Sequence, residues 1–109
     1  MTKQATTLIV FFNLKDGVSE SDYLHWAQNI DLPTVNALNS VASFDVYKGL
    51  SVLGQDTPSP YQYFEVINLK SEAAFLDDIQ SEVMTKVIEQ FQAFTKDASF
   101  ISTQNIAAR

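Results

Sequence analysis

Cysteine is absent from this sequence, and histidine occurs once, at position 25. Disulfides, thiolate nucleophiles and cysteine-based zinc sites are therefore excluded. One histidine leaves only scattered carboxylates as metal ligands, so the sequence predicts no metal site. It also contains no glycine-rich phosphate loop, nucleophile elbow or histidine-based triad, and no cofactor is expected.

Basic residues are scarce as well, because seven Lys and Arg stand against thirteen Asp and Glu and give a formal net charge of -6. The seven form no cluster, so nucleic acid and membrane surfaces are not expected as partners. The longest apolar run, residues 8–12, is far shorter than the roughly 20 residues that cross a bilayer. No signal-peptide pattern follows Met1, and the sequence predicts a cytoplasmic protein.

The composition that remains is that of one globular domain over residues 1–109, with 46% hydrophobic residues and few glycines and prolines. Residues 7–14 read Thr-Leu-Ile-Val-Phe-Phe-Asn-Leu and are apolar on both alternating faces. This pattern is typical of a central strand that is covered on both sides. Two amphipathic helices can cover one face, so we expect a second subunit to cover the other.

A first helix is predicted to begin after Ser19, which is a good N-cap with Asp22 three residues on. His25 falls opposite the apolar face and is expected at the surface. Pro33 disfavours a helical conformation at Leu32, so we expect a break there and a short helical turn after it. The face expected to pack on the sheet consists of Tyr23, Trp26, Ala27 and Ile30.

Alternating patterns predict further strands at residues 40–48, 61–69 and 99–106. The connection 49–60 is longer than a hairpin needs, and it is interpreted either as a lid or as an arm that packs on a partner subunit. A second helical region follows Ser71, with a possible restart at Ser81. Its predicted inner face contains Phe75, Leu76, Ile79, Val83, Val87, Ile88, Phe91 and Phe94.

The order βαββαβ predicts an α+β, ferredoxin-like domain, in which a four-stranded antiparallel sheet carries two helices on one face and the first and third strands are central. The stripes expected to face the helices are Leu8, Val10 and Phe12; Ala42, Phe44 and Val46; and Phe64 and Val66. The opposite face would then present Phe11, Asn13, Ser43, Asp45, Tyr47, Tyr63, Glu65 and Ile67. This mixture of aromatic and polar groups indicates a small-molecule cavity closed by a second subunit.

The first helix, the Asp31-Leu32-Pro33 segment and the element order resemble the dimeric α/β-barrel superfamily, and within it the RedY-like proteins of gene clusters for prodigiosin-type tripyrrole pigments. The resemblance implies a homodimer with two sheets packed face to face. It also implies a ligand cavity between sheet and helices or at the barrel mouth. Many members of the superfamily carry a His two residues before the Pro, where this chain has Asp31. Mechanisms that depend on that His therefore do not transfer directly.

Candidate catalytic residues are Glu65, Asp45 and Asp31. The strand pattern predicts that Asp45 and Glu65 lie together on one face of neighbouring strands, whereas Asp31 either holds its turn or faces the cavity. Candidate ligand-binding residues are Tyr47, Tyr63, Asn13, Trp26, His25 and Phe11. Trp26 has an alternative role in the core, and His25 an alternative role as a solvent-exposed residue.

Two functions follow from the resemblance together with these residues. One is an accessory protein or cofactor-free enzyme of prodiginine biosynthesis that acts on a planar pyrrole or indole-type intermediate by carboxylate acid-base chemistry. The other is a non-catalytic protein that binds or carries such an intermediate. The sequence does not decide between them.

Overall fold

In the computed structural model, which describes residues 6–107, the apolar segment near the start of the chain forms β1, Thr7–Leu14. It pairs antiparallel with β3, Tyr63–Leu69, and with β4, Thr95–Thr103. The remaining strand, β2, Val41–Lys48, pairs with β3 and gives the order β2-β3-β1-β4. The ferredoxin-like fold with its central first and third strands is confirmed.

Side-chain burial along β1 shows which face of the sheet the helices cover. Val10, Phe12 and Leu14 are buried against the helices, whereas Ile9 and Phe11 are half-buried on the opposite face. We call this opposite side, which no helix covers among residues 6–107, the open face. The predicted inward stripe of β1 is therefore confirmed.

The chain enters its first helical segment through a turn in which Gly17 has a φ of 84°. Helix α1, Glu20–Trp26, begins as predicted, because the Ser19 hydroxyl accepts a hydrogen bond from the Asp22 N–H at 3.3 Å. A π-helical turn, Ala27–Asp31, comes next and runs into α2, Leu32–Asn36. The predicted helical turn at Pro33 is confirmed, and the expected break takes the form of this wider turn.

The π-helical turn changes which residues face the sheet. Ile30 was expected to pack inward but is 42% exposed, so that prediction was wrong. Asp31 is buried in its place and is only 4% exposed. The reason is that a π-helical turn winds more slowly than an α-helix and rotates the next residue toward the core.

The second helical region consists of two helices, α3, Glu72–Asp78, and α4, Glu82–Phe94. The hydroxyls of Ser71 and Ser81 accept hydrogen bonds from the N–H groups of Ala74 and Met84, so both predicted N-caps are confirmed. Leu76 and Val83 were predicted inside but are exposed, so these two predictions were wrong. In α4, the restart of the helix after Ser81 buries Met84 in place of Val83.

Three predicted strand features were wrong. In β3, Tyr63, Glu65 and Ile67 face the helices, and Phe64 and Val66 face the open side, the reverse of the prediction. In β2, a register shift between Val41 and Ser43 buries Val41 and exposes Ala42. The last strand begins at Thr95, directly after α4, rather than at residue 99, and ends at Thr103 rather than at residue 106.

The connection 49–60 is a twisted extension whose ends are held together. The Gly49 N–H donates to the Gln62 carbonyl at 2.7 Å, and the Val52 N–H donates to the Thr57 carbonyl at 2.8 Å. Leu53 at the tip is 97% exposed. Within residues 6–107, no helix combines the length and apolarity that a membrane span requires.

Candidate functional site

A cavity of about 530 Å³ lies between the sheet and the helices. Side chains from the π-helical turn, α2, α3 and α4 form one wall, and side chains from all four strands form the other. The lining is mostly apolar and includes Leu8, Val35, Phe44, Ile67, Phe75, Ile79, Met84, Val87, Ile88, Phe91 and Phe100. The volume and the apolar lining are typical of a site for a small organic molecule.

Two buried carboxyl groups, those of Asp31 and Glu65, stand out in this lining, whose other polar residues are Lys15, Gln92, Thr95, Lys96 and Asp97. Asp31 is 4% exposed and Glu65 is 3% exposed, and both line the cavity. Their Oδ2 and Oε2 atoms have no hydrogen-bond partner among the described residues, and the same is true of the buried Tyr23 hydroxyl. No other buried side-chain oxygen or nitrogen in residues 6–107 lacks a partner. We call Tyr23, Asp31 and Glu65 the acidic cluster.

Burial shifts the proton affinity of each member of the cluster. Loss of hydration raises the pKa of Asp31 from its ordinary 3.8 to about 7. Burial, followed by the nearby charge of Asp31, raises the pKa of Glu65 well above its ordinary 4.5. Burial, reinforced by the charges of Glu65 and Asp31, also raises the pKa of Tyr23. Near neutral pH, the pair can therefore present one protonated and one ionised carboxyl group.

Three elements bring the acidic cluster together. The π-helical turn directs Asp31 inward, and the alternation of β3 places Glu65 on the helix side between Tyr63 and Ile67. Tyr23 projects from α1, and its ring lies 4.9 Å from the ring of Tyr63, centroid to centroid. Because helices and central strands hold all three residues, the cluster is built on the rigid part of the fold.

The predicted grouping of Asp45 and Tyr47 with Tyr63 and Glu65 was wrong. Asp45 is exposed and Tyr47 is 54% exposed on the open face. Residues directly opposite each other in a sheet share a face, and Glu65 pairs with Val46 rather than with Asp45. The structure therefore brings two of the three candidate catalytic residues together, Asp31 and Glu65, and leaves Asp45 on the other side of the sheet.

Tyr63 lies next to the acidic cluster but is already hydrogen-bonded. Its hydroxyl donates to the Glu20 carboxylate, which also forms a salt bridge of 3.1 Å with Lys48. These hydrogen bonds lower the pKa of Glu20, with the bond from Tyr63 contributing most. Tyr63 thus ties the start of β3 to the start of α1 and supports the Tyr23 ring.

The other candidate ligand-binding residues lie outside the cavity lining. Trp26 is buried in the core, and its indole N–H donates to Oε1 of Gln90 at 2.8 Å. His25 is exposed, as predicted. On the other side of the sheet, the Asn13 side chain accepts a hydrogen bond from the backbone of residue 62 at 3.0 Å, and Phe11 packs on the open face.

Tyr23 is the member of the cluster that sequence reasoning assigned only to the core. A signal was available, because a tyrosine on an apolar helix face brings a hydroxyl that needs a partner when it is buried. Within the part of the chain that the structure describes, no three His, Asp or Glu side chains are grouped so that they could hold a metal ion.

The fold and the cavity together define a class, the ferredoxin-like α+β domains with a small-molecule cavity between sheet and helices. A family model described as "REDY-like protein HapK" matches residues 6–106. The chain belongs to this REDY-like HapK family, as its sequence resemblance implied. Among curated proteins, none matches the chain in sequence.

Solved structures extend the comparison. HapK from Hahella chejuensis is 26% identical with a TM-score of 0.73, and the match covers 94% of each chain. The hydroxynitrile lyase of Passiflora edulis is 14% identical with a TM-score of 0.74 over 92% of each chain. A dimeric protein of ferredoxin-like fold from Bacteroides fragilis is 10% identical with a TM-score of 0.64, covering 96% of this chain and 100% of the other. The last two similarities show the shared fold alone.

Proposed function

We propose that this protein binds a planar pyrrole- or indole-type molecule in the cavity and acts on it as a cofactor-free acid-base enzyme. The observation that carries the proposal is the pair of buried, unpartnered carboxyl groups of Asp31 and Glu65 inside an apolar cavity. One carboxyl that is protonated and one that is ionised near pH 7 supply a general acid and a general base at the same place.

Energetics support a functional role for the pair. A carboxyl group that is buried without partners costs stability, and apolar side chains of similar size are often more favourable at such positions. Structural demands alone favour Leu or Met at residues 31 and 65, as they do at the neighbouring cavity positions Met84 and Ile88. The retained carboxyl groups are therefore best explained by contact with a ligand.

The pathway is proposed from the family. The chain belongs to the REDY-like HapK family, and the RedY-like resemblance implies a cytoplasmic role in the biosynthesis of prodiginine-type tripyrrole pigments. A flat, apolar intermediate of such a pathway fits the lining of aliphatic and aromatic side chains. The alternative is a carrier in the same pathway that holds the intermediate without converting it.

Incubation of the purified protein with bipyrrole precursors separates enzyme from carrier. An enzyme converts the precursor above background, and Asp31→Asn and Glu65→Gln each reduce that rate about a hundredfold or more, the typical contribution of a general acid or base. A carrier binds without conversion. The matched controls Asp77→Asn and Glu89→Gln alter exposed carboxylates on α3 and α4 and leave rate and binding unchanged. Full activity of both cavity variants would refute the assignment.

We also propose that the protein is a homodimer in which the open faces of two sheets meet. Ile9, Phe11, Phe64 and Val66 are half-buried on this face, and Ile101, which pairs with Ile9, is 46% exposed. A contiguous apolar face of this kind favours a protein interface. The connection 49–60 contributes no residue to the cavity lining, which argues against a lid over the cavity. Its exposed apolar tip instead favours an arm that packs on the partner subunit.

A further inference from the structure

The acidic cluster has more hydrogen-bond acceptors than donors. Asp31 and Glu65 contribute carboxyl oxygens, and Tyr23 contributes one hydroxyl, which can both donate and accept. If the two carboxyl groups hold a single proton, the cluster has two O–H donors for its five oxygens. None of the described side chains donates to Oδ2 of Asp31 or Oε2 of Glu65.

We infer that the cavity selects a planar ligand that carries hydrogen-bond-donating N–H groups at its inner end, with Asp31 and Glu65 as the acceptors. This inference rests on the proposed function and adds which chemical feature of the ligand the site recognises, namely its N–H groups. The lining also contains Gln92 and Asp97, but both are exposed, and the buried Thr95 hydroxyl already donates to the Phe91 carbonyl. An N–H group that reaches the buried part of the cavity therefore finds its best acceptors at Asp31 and Glu65.

The number of N–H donors on a ligand decides how tightly it binds, because the carboxyl oxygens in this cavity cannot form hydrogen bonds with bulk water instead. Both carboxyl groups are more than nine-tenths buried. A ligand of the same shape that lacks the N–H groups leaves these oxygens without a hydrogen bond, so it gains nothing there, whereas an N–H ligand satisfies them. A site built to pair with N–H groups therefore rejects such an isostere much more strongly than a purely apolar site does.

Tyr23 is assigned a positioning role in the same scheme. Its hydroxyl is buried, unpartnered and close enough to both carboxyl groups for their charges to raise its pKa. On ligand binding, a small side-chain rotation lets this hydroxyl donate to one carboxylate, which leaves the other carboxyl oxygens to the ligand. Tyr23→Phe removes this donor while its ring keeps the contact with the ring of Tyr63.

The test compares bipyrrole, thienylpyrrole and bithiophene, in which sulfur replaces the N–H groups one at a time with little change in shape. Isothermal titration with the full-length protein should show a loss of about ten- to a hundredfold in affinity for each N–H removed, because each removal leaves a buried carboxyl oxygen of Asp31 or Glu65 without a donor. In Glu65→Leu, and separately in Glu65→Met should the first variant fold poorly, the acceptor is removed and the preference for bipyrrole should shrink by at least tenfold. Glu89→Gln should keep it.

Each possible outcome has a separate meaning. If bithiophene binds as tightly as bipyrrole, the cavity is a small-molecule site but the inference about N–H donors is overturned. If the preference for bipyrrole stays unchanged in Glu65→Leu and in Asp31→Leu, the inference is also overturned, because other atoms must then accept hydrogen bonds from the N–H groups. If none of the three compounds binds, the proposed function fails and the inference fails with it.

Discussion

At the scale of single residues, the two carboxyl groups work against the stability of the fold that holds them. Asp31 and Glu65 occupy positions where packing favours apolar side chains, and each has an oxygen without a partner. Natural proteins accept such costs mainly where a group has a function. The size of this cost depends on pH, which gives a direct test.

We predict that Asp31→Asn stabilises the protein at alkaline pH but not at acid pH. The pKa of Asp31 is about 7 in the folded chain and near 3.8 when unfolded. Between these values, only the folded chain keeps the proton, so the stability contributed by Asp31 is full below about pH 4 and is lost as pH rises through 7. Asparagine has no proton to lose and avoids this loss.

Urea unfolding at pH 4 and at pH 8 measures the effect. At pH 8, the free energy of unfolding of Asp31→Asn should exceed that of the parent by roughly 2–4 kcal/mol, since a tenfold change in proton affinity corresponds to about 1.4 kcal/mol. At pH 4, the two should agree closely. Asp77→Asn, at an exposed position on α3, should show no such pH dependence. An equal difference at both pH values would contradict the assignment.

Residue-level reasoning identified both carboxyl groups from the sequence but placed Glu65 on the wrong face of β3. The strand reads Tyr-Phe-Glu-Val-Ile-Asn-Leu, and the stripe with Phe64 and Val66 is the more apolar one. The rule that the more apolar stripe faces the core fails here because the buried stripe contains Glu65. The cavity that makes this burial tolerable comes from α3 and α4, which the strand pattern does not describe.

At the scale of elements, the start and end signals were the most reliable. Ser19, Ser71 and Ser81 each cap a helix as predicted, because the interaction of a cap with its helix is local. The π-helical turn was missed, since a period of 3.6 residues was assumed throughout the first helix. The early start of β4 was missed because residues 95–98 carry no alternating pattern.

The π-helical turn has an identifiable cause. The Leu32 N–H donates to the Ala27 carbonyl, which is five residues earlier, and Pro33 has no N–H to offer the Asn29 carbonyl. In a regular α-helix, the ring of Pro33 would also meet that carbonyl. A wider turn ahead of Pro33 relieves this clash and directs Asp31 into the cavity.

We predict that Pro33→Ala shortens the turn toward a regular α-helix and rotates the Asp31 side chain toward solvent. Pro33 is exposed, so the substitution leaves the core intact. Carbon-detected NMR titration of the Asp31 carboxyl should then give a pKa clearly below the value of about 7 in the parent. Replacing another exposed helical residue, as in Gln28→Ala, provides the control. An unchanged titration of Asp31 would show that the rest of the fold, and not Pro33, sets the turn.

At the scale of the whole molecule, the sequence predicted the fold because element order and connection rules leave few alternatives. The order β2-β3-β1-β4 is the one that two right-handed crossovers produce. The existence of an apolar open face was also predicted, from the two-sided pattern of β1. The residues of the open face were predicted less well, because the two faces of β3 were assigned the wrong way round.

The proposed dimer gives a prediction at this scale. Ile101→Lys places a charge on the open face and should convert a dimer into a monomer at micromolar concentration, as seen by sedimentation equilibrium. The control Leu76→Lys changes an exposed apolar residue of α3, on the helix side, and should remain dimeric. If Ile101→Lys keeps the mass of the parent, or if the parent itself sediments as a monomer, the open face is not the interface.

Binding of the proposed ligand in the cavity would also lengthen the lifetime of the protein in the cell. A molecule that binds the folded chain alone stabilises it by about 2.7 kcal/mol at a concentration one hundred times its dissociation constant. Cellular proteases degrade partly opened chains, so a change of this size alters abundance several-fold. Acidic residues inside the core keep the unliganded chain less stable. A ligand that binds this cavity would therefore raise the amount of the protein that accumulates.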